Sequence, residues 1–330
     1  MKNFTKINIA SPLGHIETIL PYLFRTVKGI TATRERIDTP DGDFLDLDWV
    51  NVPKSKKLLI LSHGLEGKSN QAYILGMAKY FSQRGWNICA WNYRSCSGEL
   101  NRLPRFYHSG DIEDLDFVVK HSLKMKDLDV VSLVGFSLGG NITLKYLGDK
   151  ANNLPSEIKG ACVFSVPCHL SSGARKIGET VNKIYEQNFL FTMKKKIIQK
   201  RRLGQLLDYD LKKILLAKNI IQYDNLVTAP LHGFLTAAHY YKESSSIFSL
   251  PNINVPTKIV NALNDPILSP KCYPYEEVKN NPHLELKTPH FGGHVGFNGF
   301  GLKDEFISEQ KAYEFLEAQL TKRKRFNKAG

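Results

Sequence analysis

The stretch Asp129-Val130-Val131-Ser132-Leu133-Val134-Gly135-Phe136-Ser137-Leu138-Gly139-Gly140 decides how this chain is read. Its apolar first half predicts a buried strand, and the Gly-x-Ser-x-Gly from Gly135 to Gly139 predicts a sharp turn into a helix, the arrangement of a nucleophile elbow. Glycines at 135 and 139 let the backbone bend back without side-chain collision, leaving the Ser137 hydroxyl exposed above a sheet edge. The helix N-terminus behind it favours developing negative charge. A five-residue pattern of this kind also arises by chance, so its meaning rests on what surrounds it.

Upstream, Lys57 to Ser62 is an apolar run stopped by His63-Gly64-Leu65-Glu66-Gly67 and followed by a helical pattern through Ala72, Ile74, Leu75, Met77, Ala78 and Phe81. Trp86 to Trp91 predicts another buried strand, after which Ile112, Leu115, Val119 and Leu123 recur at helical spacing. Before these, Thr39-Pro40-Asp41-Gly42-Asp43 separates two alternating segments, Thr31 to Asp38 and Phe44 to Asn51, as in an antiparallel hairpin. Downstream of the elbow helix, Lys159 to Val166 predicts one more strand. Alternation of this kind predicts an α/β fold with a mostly parallel central sheet and helices on both faces.

The alternation breaks from Cys168 to about Phe234, a helix-like and basic segment, before Thr257 to Ala262 resumes the strand pattern. An inserted helical cap over residues 168–234 is expected, within a single domain covering 1–330. A last short strand, Leu284 to Thr288, leads into Pro289-His290-Phe291-Gly292-Gly293-His294-Val295-Gly296, and a C-terminal helix from about Lys303 to Leu320 precedes a basic, flexible tail at 322–330.

Composition agrees with a folded enzyme-sized domain: 330 residues, 42% hydrophobic and 23% charged, too apolar for a disordered chain. No apolar run is long enough to span a membrane, and Ile16 to Arg25 is too short and interrupted for a signal peptide, so a cytoplasmic location is expected. The five cysteines are odd in number, widely spaced and without a Cys-x-x-Cys pair, which predicts reduced thiols, with Cys89 and Cys162 as core residues. The net charge of +13 is localised: Arg175 to Lys218 carries twelve Lys or Arg against four Asp or Glu, and Lys322 to Lys328 adds five more cations. Such clustering suits either a solvated helical face or attraction to an anionic membrane. No helix-turn-helix, zinc-finger or RNA-binding signature accompanies it, so no nucleic-acid partner is expected.

A serine hydroxyl needs a histidine base, and that histidine needs a carboxylate to hold its tautomer. Asn264-Asp265-Pro266, just past the Thr257 strand, supplies Asp265, and the glycine-rich loop after the last strand supplies His294, with His290 as its rival. The glycines before His294 favour it, because they permit a tight approach to the elbow. Ser, then Asp, then His is the chain order of α/β-hydrolases. Backbone N–H groups of Leu138 and Leu65 are the expected oxyanion donors, while His63 reads as a loop-shaping residue.

These features resemble the YheT-like branch of the α/β-hydrolase superfamily from near the N-terminus to the last helix. The resemblance is carried by Gly14 to Ile19 with Arg25, the His63 to Gly67 loop, Tyr107-His108-Ser109-Gly110 with Glu113-Asp114-Leu115, and Gly135 to Gly140. Thr228 to Phe234 with Tyr240-Tyr241, Asp265-Pro266 and Gly292 to Phe297 complete it. The chain departs from the family's usual Arg-Gly-Cys-Ser-Gly at Ser95, which takes the place of that glycine. The resemblance implies carboxylic ester hydrolysis, with lipid or acylglycerol-like substrates for some relatives, and Ser137, Asp265 and His294 as catalytic residues. No metal or cofactor is expected. Transfer of the acyl group to an alcohol would use the same triad, and a non-catalytic scaffold binding a lipid or protein would usually lack one of its members.

Overall fold

The structure is a computed structural model that describes residues 12–124, 127–298 and 305–329, the last eight of these by backbone alone. Eight strands form one sheet: β1 (Thr33–Asp38), β2 (Phe44–Val50), β3 (Lys57–Ser62), β4 (Asn87–Asn92), β5 (Val130–Phe136), β6 (Ile158–Phe164), β7 (Thr257–Val260) and β8 (Leu284–Lys287). Their order is β1-β2-β4-β3-β5-β6-β7-β8. β2 is antiparallel to both its neighbours, and every pairing from β4 to β8 is parallel. The hairpin and the parallel sheet expected from the sequence are both present.

Helices α1 (Pro12–Phe24), α2 (Ala72–Ser82), α3 (Ile112–Ser122) and α4 (Leu138–Asp149) precede β6. Because side chains alternate along a strand, β3 sends Leu58 and Ile60 to one face and Leu59 and Leu61 to the other, all four fully buried. The first face is covered by α3 and α4 through Val119, Ile142 and Leu144. The second is covered by α2 through Met77 and Phe81 and by a C-terminal helix through Phe315 and Leu316. Each such side chain contributes about 1.5–3 kcal/mol of burial, so two-sided coverage is what stabilises a run as apolar as Lys57–Ser62.

Between β6 and β7 lie α5 (Leu170–Ile177), α6 (Lys183–Arg202), α7 (Leu211–Leu216) and α8 (Ile220–Tyr223), which continues through a π-helical Asp224–Thr228 into α9 (Ala229–Leu231), and then α10 (Ala237–Ser244). Helical structure therefore extends past Phe234, because Thr236 caps a further helix by accepting the His239 N–H at 3.1 Å. This segment has a core of its own, built from Leu190, Ile197, Ile214 and Tyr223, which closes against Phe106 and Ile267 of the surrounding loops. After β7 come α11 (Tyr275–Asn280) and α12 (Ile307–Ala329), the C-terminal helix already met on the second face. The basic tail expected at 322–330 lies outside the residues whose side chains are described.

The chain passes from β3 to β4 on one side and then crosses back to β5 on the other, so the loops after β3 and β5 diverge. Ligands bind in the crevice that such a reversal opens, and the elbow stands there.

At the hairpin end of the sheet Arg94 is buried among carboxylates, 3.0 Å from Asp43, 2.7 Å from Asp114 and 2.8 Å from Asp41. Asp43 is fully buried and also accepts from the Asn101 amide at 2.5 Å. Replacing the cation leaves buried acids without a counter-charge. Arg94→Met is expected to lower unfolding free energy by about 3–5 kcal/mol in urea titrations. A loss below about 1 kcal/mol, the scale of an exposed pair, would contradict this reading of the cluster.

Candidate active site

Ser137 sits at φ 53, ψ −119, a left-handed conformation that few non-glycine residues adopt. Its N–H donates to the Phe164 carbonyl at 2.8 Å, which ties the bend to the end of β6. A Cβ on Gly135 would collide with the Gly139 carbonyl, and one on Gly139 with the carbonyls of Ser62 and His63 at the end of β3. The elbow is thus pressed between two neighbouring strand ends, and both glycines are required there.

His294 Nε2 lies 2.9 Å from Ser137 Oγ, and its Nδ1 lies 2.9 Å from Asp265 Oδ2. The other Asp265 oxygen accepts N–H groups of Ile267 at 2.9 Å and Leu268 at 3.3 Å. Asp265 is completely buried. With its carboxylate taking the Nδ1–H, the imidazole presents a lone pair at Nε2 to the serine hydroxyl. The rival His290 is exposed at the strand end and takes no part.

Leu65 and Leu138 line the same cavity as Ser137 and His294. Gly64 N–H is occupied by the Tyr73 hydroxyl at 3.0 Å and Glu66 N–H by the Tyr107 hydroxyl at 2.8 Å, so the Leu65 N–H between them is the one left for a ligand. Leu138 opens α4 and so has no acceptor within the helix. His63 is fully buried, with Nδ1 2.8 Å from the Gly64 carbonyl and Nε2 3.3 Å from the Tyr93 N–H. Burial pushes it down to about 3, so it stays neutral. It shapes the loop, as its sequence context suggests.

The family profile for the alpha/beta hydrolase fold matches residues 57–298. The YheT protein of Escherichia coli (strain K12) is 33% identical over 289 residues, spanning 86% of this chain and 84% of that one. This chain belongs to the α/β-hydrolase family. Human Phospholipase ABHD3 is 27% identical over 93% of this chain and 77% of its own length, and yeast Monoacylglycerol lipase 29% identical over 75% of this chain and 56% of its own. Among solved structures, the Pyrococcus furiosus esterase Pf2001 superposes with a TM-score of 0.58 at 16% identity, covering 89% of this chain and 96% of that one, a likeness of fold.

Within this α/β-hydrolase, the departure at Ser95 has a local explanation. Ser95 adopts φ 62, a conformation that favours glycine, and its hydroxyl donates to Asn101 Oδ1 at 2.5 Å while accepting the Asn101 N–H at 3.1 Å. Two side-chain bonds hold the bend that glycine would otherwise adopt freely.

Neither Glu17 nor Thr18 has a role readable from local pattern, and the structure places both against the histidine loop. Three successive N–H groups there are each held by a side chain: Gly292 N–H by Glu17 at 3.0 Å, Gly293 N–H by Asn264 Oδ1 at 3.0 Å, and His294 N–H by Thr18 Oγ1 at 2.8 Å. Glu17 also accepts from the Asn264 amide at 2.6 Å, so the loops carrying Asp265 and His294 share one buried anchor. The helix bearing that anchor is fixed in turn by Arg25, which meets Glu309 at 2.5 Å and stacks 3.5 Å from the Phe306 ring centre. The available signal was Glu17 itself, the one acid in α1, turned toward the protein interior.

The cavity above Ser137 offers about 140 Å³ of free space. Phe106, Leu170, Ile177, Met193, Ile220 and Ile267 make it chiefly apolar. Polar side chains, among them His108, His232, Lys196 and Asp224, interrupt this lining. Lys196 of α6 bonds Glu66 at 2.8 Å, beside the expected oxyanion loop. Asp224 is buried, accepts hydroxyls of Thr228 and Tyr241 at 2.6 Å, and is pushed up to about 6 by desolvation.

Thr18→Val keeps the side-chain volume and removes the acceptor for the His294 N–H. The rate of fluorophosphonate labelling at Ser137 is expected to fall about 10–100-fold, with the melting temperature little changed and the rate recovered in Thr18→Ser. Equal loss in the valine and serine variants would assign Thr18 a packing role only.

Proposed function

We propose that this protein is a serine hydrolase of carboxylic esters. The observation that carries the reading is the unbroken chain from Ser137 Oγ through both nitrogens of His294 to buried Asp265, each link 2.9 Å, at the floor of an apolar cavity. His294 Nε2 takes the Ser137 proton as the oxygen attacks the acyl carbonyl, and Asp265 stabilises the imidazolium that forms. The tetrahedral oxyanion is met by the N–H groups of Leu138 and Leu65, whose partial charges act in a site largely shielded from water. His294 then passes its proton to the departing alkoxide. Water, deprotonated by the same imidazole, attacks the acyl-enzyme and releases the acid. This chemistry calls for no metal or cofactor.

The substrate class follows from the lining. A cavity this apolar favours an aliphatic acyl chain over a charged one, and its free space is on the scale that holds a small hydrocarbon ring, about 150 Å³, before the walls must yield. The names of the relatives, a monoacylglycerol lipase and a phospholipase, fit lipid or acylglycerol-like esters.

Wild-type protein is expected to be labelled by a fluorophosphonate probe and to turn over short-chain p-nitrophenyl esters. Ser137→Ala should lose the label and about 10⁵-fold in kcat. If both proteins are equally inert across acyl lengths, the hydrolase reading fails.

A further inference from the structure

α1 presents two unlike faces. The inner one sets Gly14, Glu17 and Thr18 against the loops of Asp265 and His294. The outer one carries Leu13, Ile16, Leu20, Leu23 and Phe24, whose spacing of three, four, three and one residues places them on one stripe. All five are exposed, from 40% for Leu20 to 61% for Phe24.

α6 extends this surface. Ile184, Phe191, Lys195 and Arg202 are separated by seven, four and seven residues and so share one stripe of that helix, apolar in its first half and basic in its second. Ile184 and Phe191 are 67% and 68% exposed. The helices meet where His15 Nδ1 lies 3.0 Å from the Tyr185 hydroxyl and the two rings stack, 5.7 Å between centres. Large apolar side chains gathered in this number on a surface mark something that covers them.

Charge selects what that is. The one acid of α1 is turned inward, so its outer stripe carries no negative charge. Lys195 and Arg202 on α6, Arg175 on α5 and Lys28 just beyond α1 are exposed and, among the described residues, have no ion-pair partner. Exposed leucine, isoleucine and phenylalanine flanked by uncommitted cations match the boundary of an anionic bilayer, where apolar side chains enter the acyl region and Lys or Arg meet the headgroups. We propose that the outer faces of α1 and α6 dock on an anionic lipid bilayer, so that the cavity above Ser137 takes its acyl substrate from that membrane. The docking rests on the surface alone, and the membrane origin of the substrate rests on the hydrolase reading.

Sedimentation with vesicles of phosphatidylcholine containing phosphatidylglycerol, compared with phosphatidylcholine alone and at low and high salt, tests this. Wild-type protein should bind the anionic vesicles about tenfold more tightly or better, and lose that advantage at high salt. Ile16→Ser/Leu20→Ser/Leu23→Ser and, separately, Lys195→Glu/Arg202→Glu should each weaken binding by about tenfold or more. Both variants should keep wild-type fluorophosphonate labelling and p-nitrophenyl acetate turnover, which reports that they fold. Binding indifferent to anionic lipid and salt, or unaffected by both variants, overturns the proposal. So does a dimer that the triple variant abolishes, which would assign the stripe to a second copy of the chain. Vesicle binding without any ester turnover would leave the docking surface standing and remove the hydrolase reading, whereas turnover without vesicle binding would do the reverse.

Discussion

Holding Ser137 in the left-handed region is the constraint to which the neighbouring structure answers. Such a backbone costs about 1–3 kcal/mol and persists only where its surroundings over-determine it. Here β6 fixes the serine N–H, the end of β3 packs directly on Gly139, and α4 begins at the next residue. Because β3 and β6 flank β5, the same contacts decide which loops face the hydroxyl. The loop after β3 brings Leu65 from one side, and the loops after β7 and β8 bring Asp265 and His294 from the other. Strand order thereby distributes Leu65, Asp265 and His294 around one atom.

The parts legible in the sequence are those written locally. Alternating strand and helix patterns, the glycines of the elbow, and a carboxylate and a histidine on strand-end loops can each be read within about ten residues. Boundaries shift slightly, with β4 starting at Asn87 after the expected Trp86, where pairing with β3 begins. What escapes such reading is pairing over distance. Glu17 bonds Asn264 and Gly292, 247 and 275 residues away, and no periodicity in α1 encodes either partner. Ser95 is intelligible only once Asn101 is seen to hold it.

Charge counting has the same blindness. The segment from Arg175 to Lys218 reads as one basic block, yet its cations divide by direction. Lys196 turns to Glu66, and buried Lys200 bonds the carbonyls of Asn101 and Leu103. Desolvation lowers Lys200 to about 8, as expected for an ammonium held by neutral dipoles, while Lys196, beside a carboxylate, is raised despite its burial. Inward cations attach the helical segment to the body, and Lys196 does so at the residue following Leu65, so displacement of α6 would be felt in the loop after β3. Lys195, adjacent in sequence, points to solvent, since neighbours on a helix diverge by about 100°.

α1 applies the same geometry to the loops of Asp265 and His294. Pro21 lacks an N–H, so the Glu17 carbonyl has no partner one turn on. Gly296 packs so closely on that carbonyl that a Cβ there would collide, and Gly14 lies equally close to the Asn264 carbonyl. With backbone so close to backbone at Gly14 and Gly296, and Thr18 bonded to the His294 N–H, a shift of the helix has little slack to absorb it and must be passed to the histidine loop. A helix whose inner face anchors the loops of Asp265 and His294 therefore sets their spacing from Ser137, while its exposed apolar stripe lies on the opposite side.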